Sequence, residues 1–200
     1  MRTSISPHVS NKDELIELVV DQVYGEVEVP EPDAAGGWRS AAVRCAHSLR
    51  ETFLRHPWIV SVLGESGVAY LGPNLMRMSE DLLGVFEAAG FDLEASDRAM
   101  NTMIAYVIGV ATVEAAWLTK VARSGRSEDE WLRHLLPAAG QAVQGYPRLR
   151  RLYESQLSDG AGAGREDTFK LGLDCVLDGL EARLGSTARL DSTDGGPTRP

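Results

Sequence analysis

The segment that most restricts what this chain can fold into is MIAYVIGVATVEAAWL, Met103 to Leu118. Wound as an α-helix it is apolar on nearly every side, so protein must cover it all round. It is too short to span a bilayer comfortably, and it carries Glu114. Gly109, Ala111, Ala115 and Ala116 keep parts of its surface thin enough for a second helix to approach closely. An unpaired carboxylate inside such a helix is costly. Glu114 therefore either faces solvent or a basic partner such as Arg183, or serves as the polar anchor of a ligand pocket or an interface.

The flanking sequence is helical as well, and no stretch sustains the alternation of a strand. A first helix is predicted from Asn11 to Glu26, with Asn11 and Glu14 as a capping pair and Ile16, Val19, Val20, Val23 and Tyr24 on one face. Pro30, Pro32, Gly36 and Gly37 break it. A second runs from Trp38 to His56 with Trp38, Ala42, Cys45, Leu49 and Phe53 on one stripe. Pro57 then opens a short helix carrying Trp58, Ile59, Val62 and Leu63, and Gly64, Gly67 and Gly72 mark a loop. Pro73 starts the next helix, which Gly90 ends. The long helix extends from Leu93 to Arg123, and a weaker one, capped by Ser127 and Glu130, runs to Leu136. Pro137, Gly140, Gly145 and Pro147 punctuate a less regular stretch, and DGAGAG reads as a flexible loop. A last helix, Arg165 to Leu184, is followed by a disordered tail, 185–200. The fold class is all-α, with roughly seven to nine helices.

Charge and composition narrow the function. A net charge of -9 argues against nucleic-acid binding by this chain itself, which would need a basic footprint. Cys45 and Cys175 lie far apart, outside any zinc-ligand spacing, and fit a reducing compartment. The N-terminus has no apolar signal-peptide core, so a cytoplasmic location without a membrane partner is expected. GxSxG, P-loop, GxGxxG and HExxH signatures are missing, and His8, His47, His56 and His134 stand alone in sequence. No catalytic residue, metal site or cofactor is expected. Trp58, Met76, Met78, Phe86, Met100, Met103, Tyr106 and Trp117 suit either plain core packing or a cavity between helices. The long helix and the last one together carry more apolar surface than a small monomer needs, and a two-fold dimer is the economical cover.

Three stretches, in this order, resemble the tetracycline-repressor (TetR) family of ligand-responsive transcriptional regulators. HVSNKDELIELVVDQVYGEV is similar to the end of its DNA-recognition helix and the connecting helix after it. RHPWIVSVLGESG, then GPNLMRMSEDLLGVFEAAGF and YVIGVATVEAAW, resemble its regulatory core, and FKLGLDCVLDGLEARL its final dimerisation helix. The resemblance covers His8 to Leu184. It implies a TetR-like helical domain whose long and last helices pair with their two-fold mates in a four-helix bundle. The implied division is 1–12 as a remnant of the helix-turn-helix head, 13–184 as the ligand-binding and dimerisation domain, and 185–200 as tail. The implied ligand pocket is Cys45, Leu49, Phe53, Trp58, Val62, Leu82, Phe86, Met103, Tyr106, Val107 and Glu114. The implied dimer interface is Val110, Trp117, Phe169, Leu173, Val176, Leu177 and Leu180. His8 and Lys12 match positions that contact DNA phosphates, which position a protein without reading sequence.

The departures carry information too. Roughly forty residues of head are missing, and Pro7 interrupts what is left of the recognition helix, so this chain alone should not recognise an operator. A gene start assigned at an internal Met is the favoured explanation. Val62, Glu65, Glu28 and Cys45 stand where the tetracycline sensor has its metal- and drug-contacting side chains. An apolar or aromatic effector is expected in place of a magnesium–tetracycline complex. The expected partners are thus a second copy, a small molecule, and operator DNA only when the head is present. The alternatives are a headless helical protein that sequesters a ligand or forms mixed dimers and, further off, a helical-bundle enzyme.

Overall fold

The computed structural model describes residues 12–32, 37–66, 72–159 and 163–191. These residues form eight helices and no strand: α1 Lys12–Tyr24, α2 Gly37–Arg55, α3 Trp58–Ser66, α4 Pro73–Ala88, α5 Leu93–Ser124, α6 Glu128–Ala142, α7 Pro147–Asp159 and α8 Ala163–Asp191. Local chemistry sets most ends. Asp92 caps α5, its side chain accepting from the Ala95 amide at 2.7 Å, and Gly125 ends that helix in the left-handed region at φ +66°. Ser127 and Glu130 form the expected reciprocal capping box on α6. Gly90, at φ +100°, follows α4.

The N-terminus of α4 is capped from outside. Gly72 precedes Pro73 in an extended conformation and offers no side chain. Asp21, from α1, takes its place: its carboxylate accepts from the Asn74 and Leu75 amides, each at 3.0 Å, and from Asn74 Nδ2 at 2.9 Å. A Cβ on residue 72 would run into that carboxylate, so glycine here is a requirement of the α1–α4 contact.

Helices α1, α2, α4, α5 and α8 share one apolar core. On α2, Ala41, Ala42, Cys45 and Ala46 are small and buried, which lets α5 lie close against it. Phe53, Phe86, Phe169, Leu49, Ile59, Leu82 and Met103 are the largest side chains fully enclosed. Helix α5 is long and apolar enough to cross a membrane by length and composition alone. Here it packs against α2, α4, α6 and α8, and its Glu114 is paired within the protein.

Several expectations need correction. Helix α5 is not covered all round: Val113 is 72% exposed, and Ala105, Gly109 and Ala116 are exposed beside it. Val19 is exposed with Leu15 and Leu18, because α1 turns the face of Val20, Asp21, Val23 and Tyr24 inward. Helix α3 continues to Ser66, into the expected loop. Helix α6 runs through Pro137, since a proline removes one amide donor without stopping the turns on either side. The stretch read as irregular is α7, with Pro147 at its first position, where the missing amide is no loss. Its Tyr153 hydroxyl donates to the Leu136 carbonyl at 2.5 Å and so docks it on α6. Helix α8 extends past Gly185 to Asp191, and the remainder of the expected tail lies outside the described residues.

Replacing Asp21 with Ala strips α4 of its cap. The expected loss is about 1–2 kcal/mol, read as a lower urea midpoint with unchanged m-value. An unchanged midpoint would mean that water caps α4 equally well.

Candidate functional site

The residues expected to line a pocket separate into three groups. Cys45, Leu49 and Phe53 on α2, Leu82 and Phe86 on α4, and Met103 and Val107 on α5 are fully enclosed and belong to one cluster. They pack on one another with Val62 against their edge. Burial pushes the Cys45 thiol up to about 12, so it is an inert apolar side chain at neutral pH. Trp58 does not join them: it is 41% exposed and its ring meets His56 at 6.4 Å.

Tyr106 and Glu114 lie on the α8 side of α5. The Tyr106 hydroxyl donates to the Phe169 carbonyl at 2.8 Å and its ring stacks on Phe169. Gly172 makes room for it, since a Cβ there would meet the hydroxyl. Glu114 is 9% exposed and bound on both oxygens by Arg50, Nε to Oε2 at 2.9 Å and Nη2 to Oε1 at 3.0 Å. The basic partner is thus Arg50 on α2, not Arg183. Arg50 also donates to Glu166 at 2.6 Å and lies 4.7 Å from the Phe169 ring centre. Burial alone would lower the Arg50 guanidinium, yet Glu114 and Glu166 hold it above the ordinary arginine value.

The charges extend outward from there. Arg165 approaches Glu114 at 3.5 Å and grips both oxygens of Glu128, and the Trp117 indole donates to Glu128 at 2.6 Å. His47 stands 3.6 Å from Glu166. The sequence reading missed Arg50, Arg165, Glu166 and Glu128. A signal existed for Arg50 alone, which occupies a stripe position between buried Ala46, Leu49 and Phe53.

The expected dimer residues also need correction. Phe169, Leu173 and Leu177 are already fully buried within the chain, facing α5 and α2, so they cannot cover a second copy. Val110, Trp117, Val176 and Leu180 are partly buried. The uncovered side of the α5–α8 pair carries different residues: Ala105, Gly109, Val113 and Ala116 on α5, and Leu171, Cys175 and Gly179 on α8. Lys12 is the exposed first residue of α1, and His8 lies outside the described residues. Among the described residues no group of His, Cys, Asp or Glu could hold a metal ion.

Residues 29–184 match the tetracyclin repressor-like, C-terminal domain. The chain belongs to the tetracycline-repressor family. An HTH-type transcriptional regulator of Saccharopolyspora erythraea is 35% identical over 118 residues, 58% of this chain and 48% of that protein. The HTH-type transcriptional repressor DrrR1 of Streptomyces coeruleorubidus is 28% identical over 180 residues, 89% of this chain and 64% of that protein. The chain therefore spans about half to just under two thirds of these tetracycline-repressor relatives. Among solved structures, the TetR-family protein ActR of Streptomyces coelicolor in complex with actinorhodin is similar at TM-score 0.68 and 27% identity. The match covers 89% of this chain and 79% of ActR. The all-α fold is thus the family's regulatory fold.

Two outcomes test the charge network. Glu114→Ala, which leaves the buried Arg50 with Glu166 as its remaining carboxylate partner, should cost up to about 3–5 kcal/mol in denaturant unfolding, and Arg50→Met combined with Glu114→Leu should recover most of it. Equal losses in the single and double variants would remove the pairing argument. The second outcome concerns pH. The hydrogen bond from Arg165 holds the Glu128 carboxyl below its ordinary value of 4.5. Its contribution is therefore complete above about pH 4.5 and disappears as pH falls through the folded value. Glu128→Gln should flatten the acid limb of the stability curve while leaving its slope above pH 6 unchanged.

Proposed function

We propose that this chain is the regulatory domain of a transcriptional repressor that dimerises through the exposed α5–α8 face and releases DNA when an apolar or aromatic small molecule enters the α2–α4–α5 core. The observation that carries this reading is the enclosed ring of Cys45, Leu49, Phe53, Leu82, Phe86, Met103 and Val107, tied to α1 by the Asp21 cap on α4. A molecule that parts α4 from α5 must move the α4 N-terminus, and α1 with it. By its resemblance to the family's connecting helix, α1 would be the element that carries this movement to a DNA-reading head. The relatives' description as transcriptional regulators and the actinorhodin bound by ActR support the same reading.

The ring residues pack against one another, so an effector would enter by a population shift toward an opened core. Met78, Met100 and Met103 suit such a core, because unbranched thioether side chains repack at low cost. The dimer face joins small residues, Ala105, Gly109, Ala116 and Gly179, to exposed Val113 and Leu171. Close packing of two such pairs makes a four-helix bundle. The apolar strip Leu15, Leu18 and Val19 on α1 is where a head would rest. A repressor of this kind acts on cytoplasmic DNA and performs no chemistry on its effector.

The test uses actinorhodin as the probe. Met103→Ala should lower stability by about 2–5 kcal/mol. It should also tighten probe binding several-fold, because the core no longer has to be opened as far. Lower stability with unchanged affinity would make Met103 plain core and remove the effector site from this ring. In sedimentation the parent chain should be a dimer, and Val113→Arg with Leu171→Arg a folded monomer. A parent that is monomeric at micromolar concentration sinks the interface.

A further inference from the structure

At the far end of α5, outside the apolar core, α5, α6 and the turn between them border an open surface recess of about 530 Å³ lined by Lys120, Arg123, Ser124, Arg126 and Trp131. Its charge is opposite to that of the chain, whose net charge is -9. The other arginines near α8 are committed to carboxylates: Arg39 to Asp174, Asp178 and Glu181, Arg50 to Glu114 and Glu166, Arg165 to Glu128. Among the described residues, the side chains of Lys120, Arg123 and Arg126 make no ion pair or hydrogen bond. The neighbouring carboxylate is Glu130, lowered first by its hydrogen bond from the Ser127 backbone and only weakly by Arg126. It is occupied by the α6 cap.

Basic side chains at a helix C-terminus are favoured by the helix dipole, and that accounts for Lys120 and Arg123 being there. It does not account for Trp131. Its indole Nε1 is buried and has no acceptor among the described residues. A buried donor is normally satisfied, and an unsatisfied one calls for an explanation. Three uncommitted cations and a flat aromatic side chain thus line one recess, and that tryptophan carries an unspent donor on its buried edge.

We propose that this recess is a second ligand site, separate from the effector core, which takes a small molecule carrying an oxyanion on an aromatic ring. The oxyanion meets Lys120, Arg123 and Arg126, since guanidinium groups match carboxylate and phosphate geometry. The ring lies against Trp131, where stacking adds to the charge contacts. Occupancy ties the start of α6 to the end of α5 beside the Trp117–Glu128 contact.

Calorimetry on the full 200-residue chain tests this with phenyl phosphate and benzoate as probes and inorganic phosphate as the ring-free control. At least one aromatic probe should bind saturably, one per chain, tighter than inorganic phosphate and more weakly as salt rises. Arg123→Gln with Arg126→Gln should weaken it by about 10-fold or more. Trp131→Leu should bring the aromatic probe down to the level of inorganic phosphate. Lys120→Gln, at an exposed position of α5, serves as the milder charge variant if the double one unfolds, and should weaken binding several-fold. The proposal is overturned if neither aromatic probe saturates, if inorganic phosphate binds as tightly as both, or if folded charge variants bind like the parent. Because the effector core shares no residue with this recess, Met103→Ala should leave the affinity unchanged, which keeps failure here distinct from failure there.

Discussion

The contact between Arg50 and Glu114 fixes how the helices around α5 are set. Both side chains are over nine-tenths buried, and each alone would be a severe cost in the core. Together they hold α2 and α5 in one register, because the forked geometry tolerates little sliding. Arg50 then reaches Glu166 and covers the Phe169 ring, so the start of α8 is fixed by the same guanidinium. Through Arg165 and Glu128 the network extends to α6, which has no fully buried residue of its own. Apolar packing supplies most of the adhesion between these helices, but it is not directional. The charges choose one arrangement from the many that would bury similar area.

Helix α5 shows how one sequence pattern can serve two purposes. Its all-round apolarity demands cover, and its own chain supplies that cover on one side only. The other side carries alanine, glycine and valine, which is economical for close approach by another helix and wasteful for a surface facing water. Tyr106 and Gly172 hold α8 alongside α5.

How far the sequence revealed this depended on the kind of signal. Capping chemistry is local, so Ser127 with Glu130 marked the start of α6, and Pro73 the start of α4, within a residue or so. Stripe periodicity likewise identified Cys45, Leu49 and Phe53 as one buried face. The same periodicity failed on α8. It found Phe169, Leu173 and Leu177 as a stripe but could not say whether their own chain or a second copy covers them. Density of Pro and Gly hid α7, where Pro147 is a start and not a stop. The recess at Trp131 was invisible, because its cations come from the end of one helix, the turn after it and the next helix. Long-range pairing, as between Asp21 and α4 or Arg50 and Glu114, leaves almost no trace in a single sequence.

The Asp21 cap bears on how a tightly packed core could also act as a sensor. A cap made within one helix would let α4 shift without consequence elsewhere. Here the amides of Asn74 and Leu75 are satisfied by a carboxylate on α1, itself buried, so α4 cannot slide without either dragging α1 or exposing unpaired donors. Gly72 adds a steric limit, since a Cβ there would run into the Asp21 side chain. The contact therefore behaves as a stiff joint and not as a greasy surface over which motion is lost. Under the proposed function, a ligand that opens the core would supply the free energy of parting α4 from α5, and the joint would pass that displacement on to α1. Weakening the joint should leave ligand affinity nearly intact while uncoupling it from α1, which separates binding from signalling in a way that mutation of the ring residues cannot.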